Sequence, residues 1–398
     1  MLTILHIITG LLFVYCSLAV LYFLIFSIAG KLYRSATYPP ASPRKNIAIL
    51  IPAYRENEII YDTVKAAVQH PYPPAHFRVF VAADQLFPET VDRLRTTGAV
   101  VHTVQFRNST KARSLNALLN SIPDGQYDIA LILDADNIMA AGALEQVNSA
   151  FQAGFQAVQL HRKAKNEQNS IALLDGISEA INNHIFRKGH RALGLSSHTI
   201  GSGMAFDFQQ LKAIYNNPHI LDNPACDREV DLGFVRKGIA IEFIEDAMVL
   251  DEKVSDLQVF QRQRTRWMES QLSTIKLFLK TPATLRSIDF WNKFFGLFLP
   301  PRILLLGIFP LMLIVYDAGK WMSDVNWVYP PLPWFAVLFT AYCIALLIAL
   351  PSRYFTAKTL KAFLALTPLF LMYLRALFKL KPTRKEFLHT PKSYKNER

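Results

Sequence analysis

The sequence predicts an α/β domain with a mostly parallel sheet and helices on both faces, flanked by transmembrane helices at both ends of the chain. Three observations predict it: β-rich runs alternating with helix-periodic stretches through the middle, no Asp, Glu, Lys or Arg over residues 1–30, and hydrophobic density rising again after residue 290. A chain of 398 residues with 51% hydrophobic content has room for one such domain plus membrane segments.

The uncharged run over 1–30 exceeds the roughly 20 residues that cross a bilayer core, and Lys31 and Arg34 come directly after it. It lacks the basic start, short apolar core and small-residue cleavage site of a secretion signal, so it reads as a retained anchor. The positive-inside rule then puts the chain beyond Lys31 in the cytoplasm. Residues 43–270 alternate as a globular domain does and form the expected cytoplasmic domain. Residues 271–300 are expected as interfacial helices, since Ile275, Phe278 and Leu279 share one helical face within 272–280. Residues 301–351 are expected as a transmembrane hairpin, with spans at 301–316 and 332–350. The loop between them carries Asp317, Lys320, Trp321, Asp324 and Trp327, which suits the outer interface. The last apolar stretch, 359–380, contains Lys361 and Arg375 and precedes a basic tail. Residues 352–398 are therefore expected as an interfacial or membrane helix with a cytoplasmic tail.

A formal net charge of +12 beside so much apolar sequence suits a chain pressed against anionic membrane lipids. Nucleic acid is not an expected partner, because no finger, basic zipper or aromatic RNA-binding motif is present. Cys16, Cys226 and Cys343 make neither a disulfide framework nor a zinc spacing, which places the central domain in a reducing compartment.

Within the domain the β-rich runs are 47–51, 78–83, 100–104, 129–133 and 157–160, with helical periodicity at 111–120 and 141–153. Ligands of such sheets bind beyond the carboxyl ends of the strands, which directs attention to 52–58, Asp84 and 134–137. The run at 129–133 leads straight into Asp134-Ala135-Asp136-Asn137. On an extended chain, residues two apart point the same way, so both carboxylates address one cation. A hard divalent ion takes such oxygens and fills its other positions with water and phosphate oxygens. The expected role is to hold Mg2+ or Mn2+ against a diphosphate and to neutralise its leaving charge.

Further motifs accompany this pair in a recognisable order. Pro52-Ala53-Tyr54-Arg55-Glu56 comes after the first run, Asp84 ends the second, and Lys111 opens a helix. Gly201-Ser202-Gly203, then Asp227 with Glu229, and finally Gln263-Arg264-Thr265-Arg266-Trp267 complete the series. Over residues 47–267 this set resembles the membrane-bound family 2 glycosyltransferases, which include cellulose, hyaluronan, chitin-oligosaccharide and poly-N-acetylglucosamine synthases.

The resemblance implies a GT-A (Rossmann-like) nucleotide-diphospho-sugar transferase fold and an inverting, metal-dependent enzyme. It implies donor contacts from Pro52, Tyr54, Glu56, Asp84, Lys111 and Arg266, metal ligation by Asp134 and Asp136, and acceptor contacts from Gly201, Ser202, Gly203, Gln263 and Trp267. Asp227 is the expected base. Cys226 stands where the family has Glu, and if the register is shifted, Glu229 takes that role. Expected partners are a UDP-sugar, a glycan or glycolipid acceptor, membrane lipids and export or synthase proteins. The expected location is the bacterial inner membrane with a cytoplasmic catalytic domain, and the expected role lies in exopolysaccharide synthesis. A single-addition enzyme acting on a lipid carrier and a catalytically silent synthase subunit are the alternatives. Arg262, Arg264 and the cluster His161, Arg162, Lys163 and Lys165 are expected as solvated or lipid-facing residues, and His184, His190 and His198 as structural or surface ones.

Overall fold

The computed structural model describes residues 2–377, apart from 37 and 224, together with residue 380. The basic tail from Lys381 onward lies outside the described residues. Helix α1 (Leu2–Leu32) precedes the domain. The domain then runs β1 (Ile47–Tyr54), α2 (Ile60–Val68), β2 (Phe77–Asp84), α3 (Pro88–Arg95), β3 (Val100–Val104), α4 (Lys111–Ser121), β4 (Ile129–Ile132) and β5 (Ile138–Met139). It continues with α5 (Ala143–Gln152), β6 (Ala157–Ala164), α6 (Ser170–Asn183), a π-helical segment (His184–Gly189) and the short α7 (His190–Ala192). After β7 (Met204–Asp207) come α8 (Phe208–Tyr215), α9 (Pro218–Leu221), α10 (Cys226–Arg236), β8 (Glu242–Asp251) and α11 (Leu257–Leu279). Helices α12 (Ile288–Gly296), α13 (Arg302–Ser323), α14 (Leu332–Ala349), α15 (Ala357–Ala362) and α16 (Leu366–Leu377) are the last of the described elements.

The eight strands form one mixed sheet in the order β3-β2-β1-β4-β7-β6-β8-β5. Strand β1 is buried along most of its length because both faces of the sheet are covered. By the two-residue strand period, Ile47, Ile49, Ile51 and Ala53 enter one core with α2 and α5, while Ala48 and Leu50 enter the other with α4, α8 and α10. Strands β3, β2, β1 and β4 are parallel, but β7 is antiparallel to both β4 and β6. This reversal has a direct consequence: the segment leading into β7 lies at the same sheet edge as the chain leaving β4.

The five strands expected from sequence are present, and the structure adds β5, β7 and β8. The segment 161–165, expected as a solvated loop, instead continues β6 through Ala164, with Arg162 largely buried. Likewise 272–280 is the second half of α11, and Phe278 packs on Leu232 and Val235 of α10 and on Phe290 of α12.

Among the described residues, four helical stretches are long and apolar enough to cross a membrane: Leu2–Leu32, Arg302–Ser323, Leu332–Ala349 and Ala357–Leu377. The last, which the sequence leaves open between surface and membrane, is interrupted by a 3-10 turn at Phe363–Ala365. Cys16, Ala19, Val20, Phe23 and Phe26 of α1 bury their side chains in a core shared with α6 and with Tyr342, Ala345 and Ala349 of α14.

Candidate active site

Strands β1 and β2 end side by side, with Pro52 opposite Ala82 and Tyr54 opposite Asp84. Beyond them Arg55 and Gln85 both adopt positive φ, 60° and 56°, and Arg55 donates to Gln85 Oε1 from Nε (2.8 Å) and from its terminal nitrogen (2.6 Å). Arg55 also lies over the Tyr54 ring, 5.0 Å from its centroid. Glu56 sits one residue further on, and its carbonyl accepts from Ile60 N–H at the start of α2 (3.1 Å). Asp84 is fully buried, and among the described residues neither carboxylate oxygen makes a hydrogen bond of good geometry, Ser109 being the nearby hydroxyl. Burial pushes its carboxyl above the usual value, with Ser109 and Arg55 opposing. A buried acceptor without a donor is costly in a folded chain. Its natural complement is a donor group on a ligand.

The paired acids do not leave β4 on an extended chain, as the sequence suggests, but on a tight turn closed by Asn137 N–H to the Asp134 carbonyl (3.1 Å). Lys111, at the first turn of α4, forms an ion pair with Asp134 and donates to the Gly201 carbonyl (2.6 Å). Burial alone would lower the Lys111 ammonium, but Asp134 and its neighbours, Asp227 among them, outweigh that and hold it raised. Ser202 Oγ accepts from Asp134 N–H (2.9 Å). It donates to the Asn137 amide oxygen (2.9 Å), whose nitrogen in turn reaches Asp136 (2.9 Å) and Asp251 (3.3 Å). Asp134 and Asp136 thus offer hard carboxylate oxygens from one turn. Among the described residues, no three His, Cys, Asp or Glu side chains form a self-sufficient cage. A divalent ion held here would complete its shell with phosphate oxygens and water.

Gly201 and Gly203 have φ of +87° and +63°, a region that favours glycine. A Cβ at Gly201 would sit 3.6 Å from Asp227 Oδ2 and 3.7 Å from Lys111 Nζ, which places Asp227, Lys111 and the glycine loop around one spot. Glu229 faces elsewhere and accepts from Asn223 Nδ2 (2.7 Å). Burial lowers the Arg266 guanidinium, while the charges of Asp134 and Asp227, within electrostatic range, oppose that shift.

Arg266 and Trp267 are presented by α11, whose seating depends on a residue expected to be solvated. Arg264 is instead buried in an ion pair with Asp175 of α6, and its guanidinium lies 4.1 Å from the Trp267 ring centroid. The sequence pattern hides this, because arginines two residues apart on a helix look alike. Arg262 is exposed, as expected. Among the described residues, the buried Gln263 Oε1 has no hydrogen-bond partner.

Behind the metal-type turn lies a buried network that sequence reasoning missed. Arg162 donates to Glu179 (2.6 Å) and lies 3.6 Å from Asp251, Lys253 pairs with Asp251 (2.7 Å), and Arg187 lies 3.6 Å from Glu179. Burial alone would raise Glu179, but Arg162, Lys253 and Arg187 outweigh it and hold the carboxyl at about 2. Of the three histidines, His190 and His198 are packed rings beside Phe186, 4.9 Å apart, and burial lowers both. His184 is structural, its ring bonded to the Ser27 carbonyl (2.8 Å).

A mixed, mostly parallel α/β sheet whose acids, lysine and glycine loop meet at one edge defines the GT-A class of transferases. The chain belongs to the family described as Glycosyltransferase like family 2, whose model matches residues 43–270, and it is a glycosyltransferase. Among solved structures it is similar to the mannosyltransferase PcManGT from Pyrobaculum calidifontis in complex with GDP-Man and Mn2+. That similarity has a TM-score of 0.59 at 16% identity and covers 96% of this chain and 100% of the other. More distant are S. aureus TarS, with a TM-score of 0.43, 12% identity, and 83% and 91% of the two chains covered, and M. tuberculosis glucosyl-3-phosphoglycerate synthase in complex with Mn2+, UDP and phosphoglyceric acid. The latter has a TM-score of 0.40 at 15% identity and covers 57% of this chain and 78% of that one. No curated protein sequence matches the chain.

Proposed function

We propose that this glycosyltransferase moves a sugar, with inversion, from a nucleotide diphosphate donor to an acceptor hydroxyl at the cytoplasmic face of a bacterial inner membrane. The observation that carries the reading is the meeting of Lys111, Asp134, Gly201 and Asp227 at one sheet edge, with Arg266 of α11 within electrostatic range of both acids. Asp227 takes the acceptor proton as the acceptor oxygen bonds to the anomeric carbon. The bond from that carbon to the diphosphate breaks on the opposite face, and the nucleoside diphosphate departs. Asp84, with Pro52, Tyr54 and Glu56 around it, receives the nucleoside, and its unpartnered carboxylate suits donor groups of a base or ribose. Lys111 and Arg266 face the diphosphate as fixed positive charge. Asp134 and Asp136 hold Mn2+ or Mg2+, which supplies charge neutralisation at the leaving diphosphate. Gly201, Ser202, Gly203, Gln263 and Trp267 form the acceptor side.

The donor is taken to be a UDP-sugar, with GDP-mannose as the competing choice because PcManGT was captured with GDP-Man. In the test, the full chain in detergent or lipid nanodiscs is given UDP-GlcNAc, UDP-glucose or GDP-mannose with Mn2+, and nucleotide release is measured. Release from one donor that stops with EDTA and falls at least 100-fold in Asp136→Ala is expected. Equal release by that variant defeats the metal assignment.

A second reading, single addition to a lipid-linked acceptor, is favoured by the seam between α11 and α16. Phe260 of α11 packs in one buried core with Leu369 and Met372 of α16, so the helix bearing Arg266 and Trp267 abuts a membrane-type segment. Product length separates the readings: a ladder on a gel supports polymer synthesis, for which export or synthase partners are expected. A single solvent-extractable adduct supports the lipid acceptor.

A further inference from the structure

Helix α12 has two unlike faces. Ile288, Trp291 and Phe298, just past its end, are exposed at 74%, 51% and 45%, while Phe290 and Lys293 are buried. An ammonium is rarely buried without a dedicated partner. Lys293 Nζ donates to Asp231 Oδ1 (2.6 Å) and to the Ser197 carbonyl (2.6 Å). One turn earlier, Asp289 Oδ1 accepts from Ser196 N–H (2.6 Å). A carboxylate and an ammonium from a single helix thus grip adjacent residues of the segment 196–199.

That segment leads directly into the candidate site. Thr199 N–H reaches Asp231 Oδ2 (3.4 Å), and its hydroxyl donates to the Asp227 carbonyl (3.1 Å). Ile200 is held from both sides, its N–H by Gln159 Oε1 (3.0 Å) and its carbonyl by Arg162 (3.3 Å). Gly201 is next and receives Lys111. Asp231 stands one helical turn after Asp227 on α10, so Lys293 touches both the helix of the proposed base and the strap that frames it. On its far side α12 also meets α1, where Phe295 and Tyr22 rings lie 5.4 Å apart.

We propose that Lys293 is a positioning residue that sets Asp227 and the glycine loop through Asp231 and the 196–199 strap, and that α12 thereby couples membrane seating to the catalytic geometry. The inference rests on the reading of Asp227 as the acceptor-side base. Without the ammonium, the buried Asp231 carboxyl loses its paired cation and the strap loses one of its two contacts with α12. A shift of about 1 Å at such a group can cost on the order of 100-fold in rate.

The experiment uses the full chain in nanodiscs with Mn2+ and the donor found to turn over. Lys293→Met is expected to lower kcat by about 10- to 100-fold while donor KM and UDP affinity by calorimetry stay within about twofold, and Lys293→Arg is expected to recover at least several-fold. A role in stability alone would lower the yield and melting temperature but leave kcat per folded molecule intact, and that result overturns the proposal. Should Lys293→Met not fold, Asp289→Asn leaves the buried ion pair in place and is expected to show the same split in weaker form. Wild-type kcat in Asp289→Asn then counts against the proposal. Hydrogen exchange supplies a readout independent of turnover, since the strap and the first turns of α10 are expected to lose protection in Lys293→Met. Unchanged exchange overturns the positioning role even if no donor is found, whereas a wild-type chain inert to every donor defeats only the functional reading.

Discussion

Asp227 and Glu229 lie within the first turn of the same helix, and only their surroundings distinguish them. Asp227 faces Gly201 and Lys111, while Glu229 is engaged by Asn223. Asp227→Asn is therefore expected to lower kcat by roughly 10²- to 10⁴-fold, the usual range for a lost general base, with Glu229→Gln within about threefold of wild type in a nucleotide-release assay. Comparable losses in both variants would return the register question to the open state in which the motif leaves it. Asp84 yields a different expectation. Its carboxylate is buried and unpartnered, so Asp84→Ala removes a group that costs stability in the unliganded fold. The melting temperature is expected to hold or rise while donor KM increases about tenfold, a loss comparable to one good hydrogen bond to a charged group. A lowered melting temperature with unchanged KM would argue for a structural Asp84. These residues were legible because short motifs name them, but no motif records which way a side chain faces.

At the scale of elements, β6, β8 and α6 are joined by Glu179, Arg162, Lys253 and Arg187. Glu179 is held at about 2, below its usual value. An acid with a depressed folded-state pKa contributes stability above its unfolded value, and that contribution is lost as pH falls towards the folded value. Acid melting should therefore show a stability loss between roughly pH 5 and 2, and Glu179→Gln should flatten it while costing about 3–5 kcal/mol near neutrality, since buried Arg187 loses its carboxylate and Arg162 and Lys253 are left to share Asp251. Helix α11 depends in the same way on Arg264 and Asp175. Arg264→Leu is expected to misplace Arg266 and Trp267 and to lower kcat at least tenfold with far-UV dichroism unchanged; full activity would show that α11 is held without it. Neither network was legible from sequence, because Glu179 pairs with Arg162 of β6, Arg187 of the π-helical segment and Lys253 just past β8, far apart in the chain, and Arg264 lies on a helix whose arginines share one composition and divide only by face.

For the whole molecule, the question is how the membrane helices meet the transferase domain. Helix α1 crosses the π-helical segment so closely that a Cβ added at Gly189 would come within 2.3 Å of the Phe26 carbonyl oxygen. Backbone cannot yield there as a flexible side chain would. Gly189→Val should thus push α1 away and reduce the yield of monodisperse protein by size-exclusion chromatography; a wild-type yield would show that α1 packs loosely. Composition and local pattern were enough to determine the α/β class, the apolar stretches, the parallel strands and the order of the motif residues, because hydrophobic period and turn chemistry act between near neighbours. Only the tertiary structure decided that β7 runs antiparallel and carries Gly201–Gly203 to the Asp134 edge, that Arg162 and Arg264 are buried, and that Lys293 reaches Asp231. Those outcomes depend on contacts between residues far apart in the chain, whose energies exist only once the sheet and helices have been brought together.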